Sequence, residues 1–100
     1  MSKLKIETPG EILKAEWMEP LALSQYRLAR ELGISQQRVS ELINGRRSIT
    51  LDTALRLARL FRTSAELWLN LQADFDLRTA ARSGLAKKIE RAIKPLAEAA

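Results

Sequence analysis

The chain has 100 residues, enough for one compact domain with a short appendage and too few for a second core. It contains no cysteine and no histidine, which excludes thiolate nucleophiles, histidine bases, Cys/His metal sites and histidine triads. The net charge of +5 is concentrated: residues 24–62 hold eight arginines against Glu31, Glu41 and Asp52, an electrostatic footprint for nucleic acid.

Four glycines, three prolines and 46% hydrophobic residues predict an ordered, helical chain, and no segment alternates apolar and polar residues as a strand does. Neither a catalytic residue set nor a metal or cofactor site is expected. The opening MSKLKIETPGEILK lacks the apolar stretch and small-residue cleavage site of a signal peptide. No apolar run approaches the ~20 residues that span a bilayer. A reducing, cytoplasmic setting and no membrane partner are therefore expected.

Residues 1–8 are polar and read as a flexible tail. Pro9, Gly10 and Glu11 open a first helix through about Met18, and Glu19-Pro20 ends it, because a residue before proline avoids helical geometry. Ser24 caps a second helix that stops at Gly33, a residue able to take positive φ. Ser35 caps a third, stopped by Asn44-Gly45. Between them Ala29 puts a small side chain where two helices cross. In the third helix Val39, Leu42 and Ile43 share one face, while Gln36, Gln37, Ser40, Glu41 and Asn44 make a polar arc opposite. Two short helices joined by a glycine turn, over about residues 24–45, predict a helix-turn-helix; the plainer alternative is an ordinary helical hairpin with a polar outer face. A polar outer arc on its second helix suits a major groove, where amides and hydroxyls meet base edges. Arg38 lies on the rim of that arc, placed for phosphate. Arg46-Arg47-Ser48 forms the loop that follows, and arginine forks match phosphate oxygens.

Thr50 caps a fourth helix through Phe61, with Ala54, Leu55, Ala58 and Phe61 expected inward. Thr63-Ser64-Ala65-Glu66 has the form of a capping box and opens a fifth helix over about 64–82. That helix has two apolar stripes: Leu67, Trp68, Leu71 and Phe75 on one face, Leu69, Ala73, Leu77 and Ala80 nearly opposite. The first is expected to cover the core and the second to need another partner, with Leu69, Ala73 and Leu77 the candidate dimer seam. After Ser83-Gly84, an apolar stripe of Leu85, Ile89, Ala92, Ile93 and Leu96 predicts a last helix ended by Pro95, its lysines forming a solvated face. Trp17 and Trp68 are expected core anchors. The division is thus a tail over 1–8, a DNA-binding domain over 9–82 and a helical extension over 83–100.

The segments TPGEILKAEWMEPLALSQYRLARELGI, NGRRSITLDTALRLARLF and TSAELWLNLQADFDLR resemble the HigA/VapI-type antitoxins over about residues 8–80. These are helix-turn-helix proteins of the Cro/C1 (XRE) repressor superfamily, encoded beside a RelE-like toxin. One position departs: the family often has His before Pro-Gly-Glu, and here Thr8 stands there. The resemblance implies an all-α, five-helix, lambda-repressor-like domain, here with an additional C-terminal helical segment. It further implies a bacterial homodimer that binds double-stranded operator DNA in its own promoter and neutralises a RelE-like toxin. Carried onto this chain, Gln36, Gln37, Ser40 and Glu41 match base-reading positions, and Gln25 and Asn44 match phosphate contacts. Ser35, Arg38, Arg46 and Arg47 join the expected phosphate set. A free-standing repressor without a toxin accounts for the helix-turn-helix equally well. For the toxin contact the expected surface is the acidic stretch over 7–19, with Glu7, Glu11, Glu16 and Glu19 against Lys14, and the rival contact is the C-terminal segment over 83–100 through its apolar stripe.

Overall fold

In a computed structural model that describes residues 5–99, every regular element is helical. They are α1 (Pro9–Leu13), a π-helical segment (Lys14–Met18), α2 (Gln25–Leu32), α3 (Gln36–Ile43), α4 (Leu51–Phe61), α5 (Ala65–Ser83) and α6 (Leu85–Ala92). Of the expected tail, residues 1–4 lie outside the described residues. Residues 5–8 are held: Lys5 Nζ donates to Glu11 Oε2 at 2.9 Å, and Ile6 is half-buried.

Local chemistry sets the helix ends. Thr8, at the departing position, is the N-cap of α1 and forms a reciprocal capping box with Glu11, each accepting the other's backbone N–H at 3.1 Å. Ser24, Ser35, Thr50 and Ser64 cap α2 to α5 without the return bond, each hydroxyl accepting the N–H three residues on. The cap of α5 is Ser64, one residue later than the capping box expected from Thr63. Thr63 is used elsewhere, its Oγ1 accepting from Trp68 Nε1 at 2.7 Å. Gly33 ends α2 at φ 70°, and Ile34 N donates to Ala29 O at 3.0 Å, closing the turn that leads into α3.

The core collects Leu13 and Met18, Leu28, Ala29 and Leu32, Val39, Leu42 and Ile43, then Ile49, Ala54, Leu57 and Trp68. Both tryptophans anchor it. Trp68 is fully buried and Trp17 half-buried, with ring centroids 5.3 Å apart and Phe61 5.1 Å from Trp17. Gly10 makes a close backbone approach. A Cβ there would stand 1.8 Å from Leu42 O, so the start of α1 rests directly on the last turn of α3.

Two inward faces differ from expectation. In α4 the inward arc is Ala54 and Leu57, both buried, with half-buried Ala58 and Phe61, at i, i+3, i+4 and i+7, and Leu55 is 54% exposed. In α5 the arc is centred on Trp68 and Gln72, flanked by Leu71 and Phe75, and Leu67 faces outward. A polar residue occupies that centre because it is used: Gln72 Oε1 accepts from the buried Ile49 N at 2.8 Å, and its Nε2 donates to Asp76 at 2.9 Å. Leu69 is rotated toward the core and half-buried, leaving Ala73 and the 71%-exposed Leu77 on the outer face. α6 is shorter than its apolar stripe, since Ile93 is already extended two residues before Pro95. Its Leu85, Ile89, Ile93 and Leu96 are exposed. No described helix is long and apolar enough to cross a membrane.

Candidate nucleic-acid interface

α3 is the centre of the site, and it is fastened at both ends and along its inner face. At its start Ser35 Oγ accepts from Arg38 N at 3.0 Å. At its end Asn44 Nδ2 donates to Ser40 O at 2.9 Å and to Ser40 Oγ at 3.3 Å, and Arg46 N donates to Glu41 O at 2.8 Å. Beneath it Val39, Leu42 and Ile43 are buried. What remains outward is the polar arc: Gln36 and Gln37 exposed, Ser40 and Glu41 half-buried at its margin. The two glutamine amides have no hydrogen-bond partner among the described residues and stand free to pair with base edges.

The rim is less uniform than charge alone suggests. Gln25, first residue of α2, and Ser35 are exposed beside helix N-termini, where backbone N–H groups favour anions. Arg46 and Arg47 are exposed in the loop after α3. Arg46 has no ion-pair partner among the described residues, whereas Arg47 donates to Glu41 Oε1 through Nε at 3.0 Å and Nη2 at 2.7 Å. Arg38 departs from its expected place on the rim. Its Nη2 donates to Asp52 Oδ1 at 2.8 Å and to Thr53 Oγ1 at 2.7 Å, and its Nε is buried. The side chain therefore joins α3 to α4 and does not stand free for phosphate.

Asp52 is the hub of this joint. Its Oδ1 also accepts from Arg56 Nε at 2.8 Å, and Arg56 Nη1 donates to the carbonyl of Leu32 at 2.8 Å. The Arg56 hydrogen bond, followed by that of Arg38, holds the Asp52 carboxyl below the ordinary carboxylate range. One carboxylate thus ties the end of α2, the inner edge of α3 and the start of α4 into one frame. The i,i+4 spacing of Asp52 and Arg56 is a legible sign of their pairing. Nothing in sequence spacing announces Arg38 or Leu32 as further members.

A tri-helical arrangement with a capped, outward-facing third helix defines a helix-turn-helix DNA-binding domain. The helix-turn-helix family profile matches residues 15–68. Virulence-associated protein I of Dichelobacter nodosus is 47% identical over 72 residues, covering 72% of this chain and 67% of that protein. The chain spans about two thirds of the length of the curated relatives it matches. Among solved structures, a HigA-family addiction module antidote protein from Coxiella burnetii superposes with TM-score 0.82 at 44% identity, over 93% of this chain and 100% of that one. The Pseudomonas aeruginosa antitoxin HigA, solved with the higBA promoter, gives 0.83 at 40% identity, over 92% and 99%. The chain belongs to the helix-turn-helix family and, within it, to the DNA-binding antitoxins of the HigA type.

Proposed function

We propose that this chain is the antitoxin and autorepressor of a two-gene module: a cytoplasmic homodimer that binds an operator in its own promoter and neutralises a RelE-like toxin. The observation that carries the reading is the free amide arc of Gln36 and Gln37 on a helix locked at both ends. Superposition along nearly the whole chain with an antitoxin solved on its promoter supports it. Gln36, Gln37 and Ser40 read bases; Gln25, Ser35, Asn44, Arg46 and Arg47 meet phosphates. Arg38 is withdrawn from the phosphate set, because Asp52 and Thr53 hold it in the helix joint.

Two copies would present their third helices to half-sites about 34–36 Å apart. The proposed seam is Ala73 and Leu77 on α5, continued by Leu85 and Ile89 of α6, all exposed. Leu69 leaves that set for the core. The toxin is placed on the N-terminal face. Of its glutamates Glu11 is occupied by Thr8 and Lys5, so exposed Glu7, Glu16 and Glu19 are the groups available to a basic partner.

Gel shifts on the upstream DNA test the operator half. Affinity should fall by about a thousandfold or more between 50 and 200 mM salt if six or more phosphates are neutralised. Co-expression with the neighbouring reading frame tests the other half. A free-standing repressor binds the same DNA and rescues no cell from that product. Charge reversal of Glu16 and Glu19 together should weaken rescue and leave the gel shift unchanged.

A further inference from the structure

We infer that Glu41 is a positioning residue: its carboxylate seats the Arg47 guanidinium at the rim of α3, so that the free edge of the fork meets an operator phosphate. The inference rests on the DNA-binding reading and assigns Glu41 a task other than base readout.

Both Nε and Nη2 of Arg47 donate to Glu41 Oε1, at 3.0 and 2.7 Å. Two donors on one oxygen fix the plane of the guanidinium, and its remaining N–H groups stay free for an anion. Glu41 also holds the loop backbone, its carbonyl accepting from Arg46 N at 2.8 Å, with Gly45 at φ 74° making the reversal. Side chain and main chain of one residue therefore set where the loop cation stands. The neighbouring arginines are handled differently: Arg38 is sunk between α3 and α4, and Arg46 has no ion-pair partner among the described residues.

An ion pair this exposed adds little to fold stability. Its effect falls on binding. A free arginine loses its rotamer freedom when it meets a phosphate, and a seated one has lost it already. Glu41 alone on the groove face would repel the DNA backbone, a penalty that Arg47 cancels.

The test compares wild type, Glu41→Gln, Arg47→Ala and the double variant on a duplex of the upstream sequence and on a scrambled duplex, with melting temperatures measured alongside. Glu41→Gln should weaken binding to the upstream duplex about three- to tenfold, the equivalent of immobilising one rotamer-rich side chain. Its melting temperature should stay close to wild type. In the Arg47→Ala background the same change should no longer weaken binding and should strengthen it slightly on both duplexes, because only a repulsive charge is removed. That reversal of sign belongs to positioning alone. Stronger binding by Glu41→Gln in the wild-type background would overturn the inference in favour of simple repulsion. Equal weakening in both backgrounds with altered base preference would overturn it in favour of base reading. A matching fall in melting temperature would reduce Glu41 to a fold residue. Wild type failing to shift the upstream duplex would refute the DNA reading itself, a separate and visible failure.

Discussion

Gly10→Ala adds one methyl group at the place where α1 rests on the recognition helix. The new Cβ would lie 1.8 Å from Leu42 O and 2.8 Å from Ile43 Cα. Ordinary contact begins at 3.4 Å, so the two backbones must separate by about 1.6 Å. Both obstructing atoms are main chain, and no rotamer change relieves them. Overpacking of this kind costs typically ~1–3 kcal/mol and occasionally more. Alanine returns at most ~1 kcal/mol through helix propensity, less at the second position of a helix. The balance is a loss of about 1–2 kcal/mol, which for a domain of this size lowers Tm by roughly 4–16 °C. Because the displaced atoms belong to the last turn of α3, operator affinity should fall with it. Thermal unfolding followed by circular dichroism, with urea midpoints as a second measure, reads the stability term. Gly33→Ala is the comparison. At φ 70°, with Arg56 Nη1 3.4 Å from the added Cβ, it meets backbone strain of ~1–2 kcal/mol and little collision. A Gly10→Ala protein that melts within 3 °C of wild type, on the order of a few tenths of a kcal/mol, would refute the packing argument.

Three further outcomes are expected. Asp52 and Glu11 have carboxyls held below the ordinary value, Asp52 first by Arg56 and Glu11 first by Lys5. Their stabilisation is complete above the unfolded carboxylate value of ~4 and is lost as pH falls through the lower folded value. Melting temperature should therefore hold down to about pH 5 and drop below about pH 4, with a shallower drop in Asp52→Asn. Gln37→Ala should cost about 1–3 kcal/mol of discrimination between operator and random duplex, whereas Arg46→Ala should weaken both alike; equal losses for Gln37→Ala would remove it from base readout. Leu77→Glu should leave a helical monomer in sedimentation, because a seam that buries one unpaired charge loses several kcal/mol, and an unchanged dimer would move the seam elsewhere.

The parts of this molecule legible in its sequence are those decided within one helical turn. Ser24, Ser35 and Thr50 cap the helices they precede, and Gly33 takes the left-handed turn, because each acts on N–H or C=O groups three to five positions away. The polar arc of α3 follows from the same short range: once Val39, Leu42 and Ile43 are buried, 100° per residue turns Gln36 and Gln37 outward. Contacts across longer separations left no such trace. Arg38 meets Asp52 fourteen residues on, Arg56 reaches back twenty-four to Leu32, and Ile49 finds Gln72 twenty-three ahead. A glutamine reads as surface from sequence, yet Gln72 faces inward beside the fully buried Trp68, where its amide oxygen accepts the buried Ile49 N–H, and with these two inward Leu67 faces out. Helix ends and faces are properties of the local chain. Which charges remain free for DNA, and which are consumed holding the reading helix in place, is decided only when the helices pack.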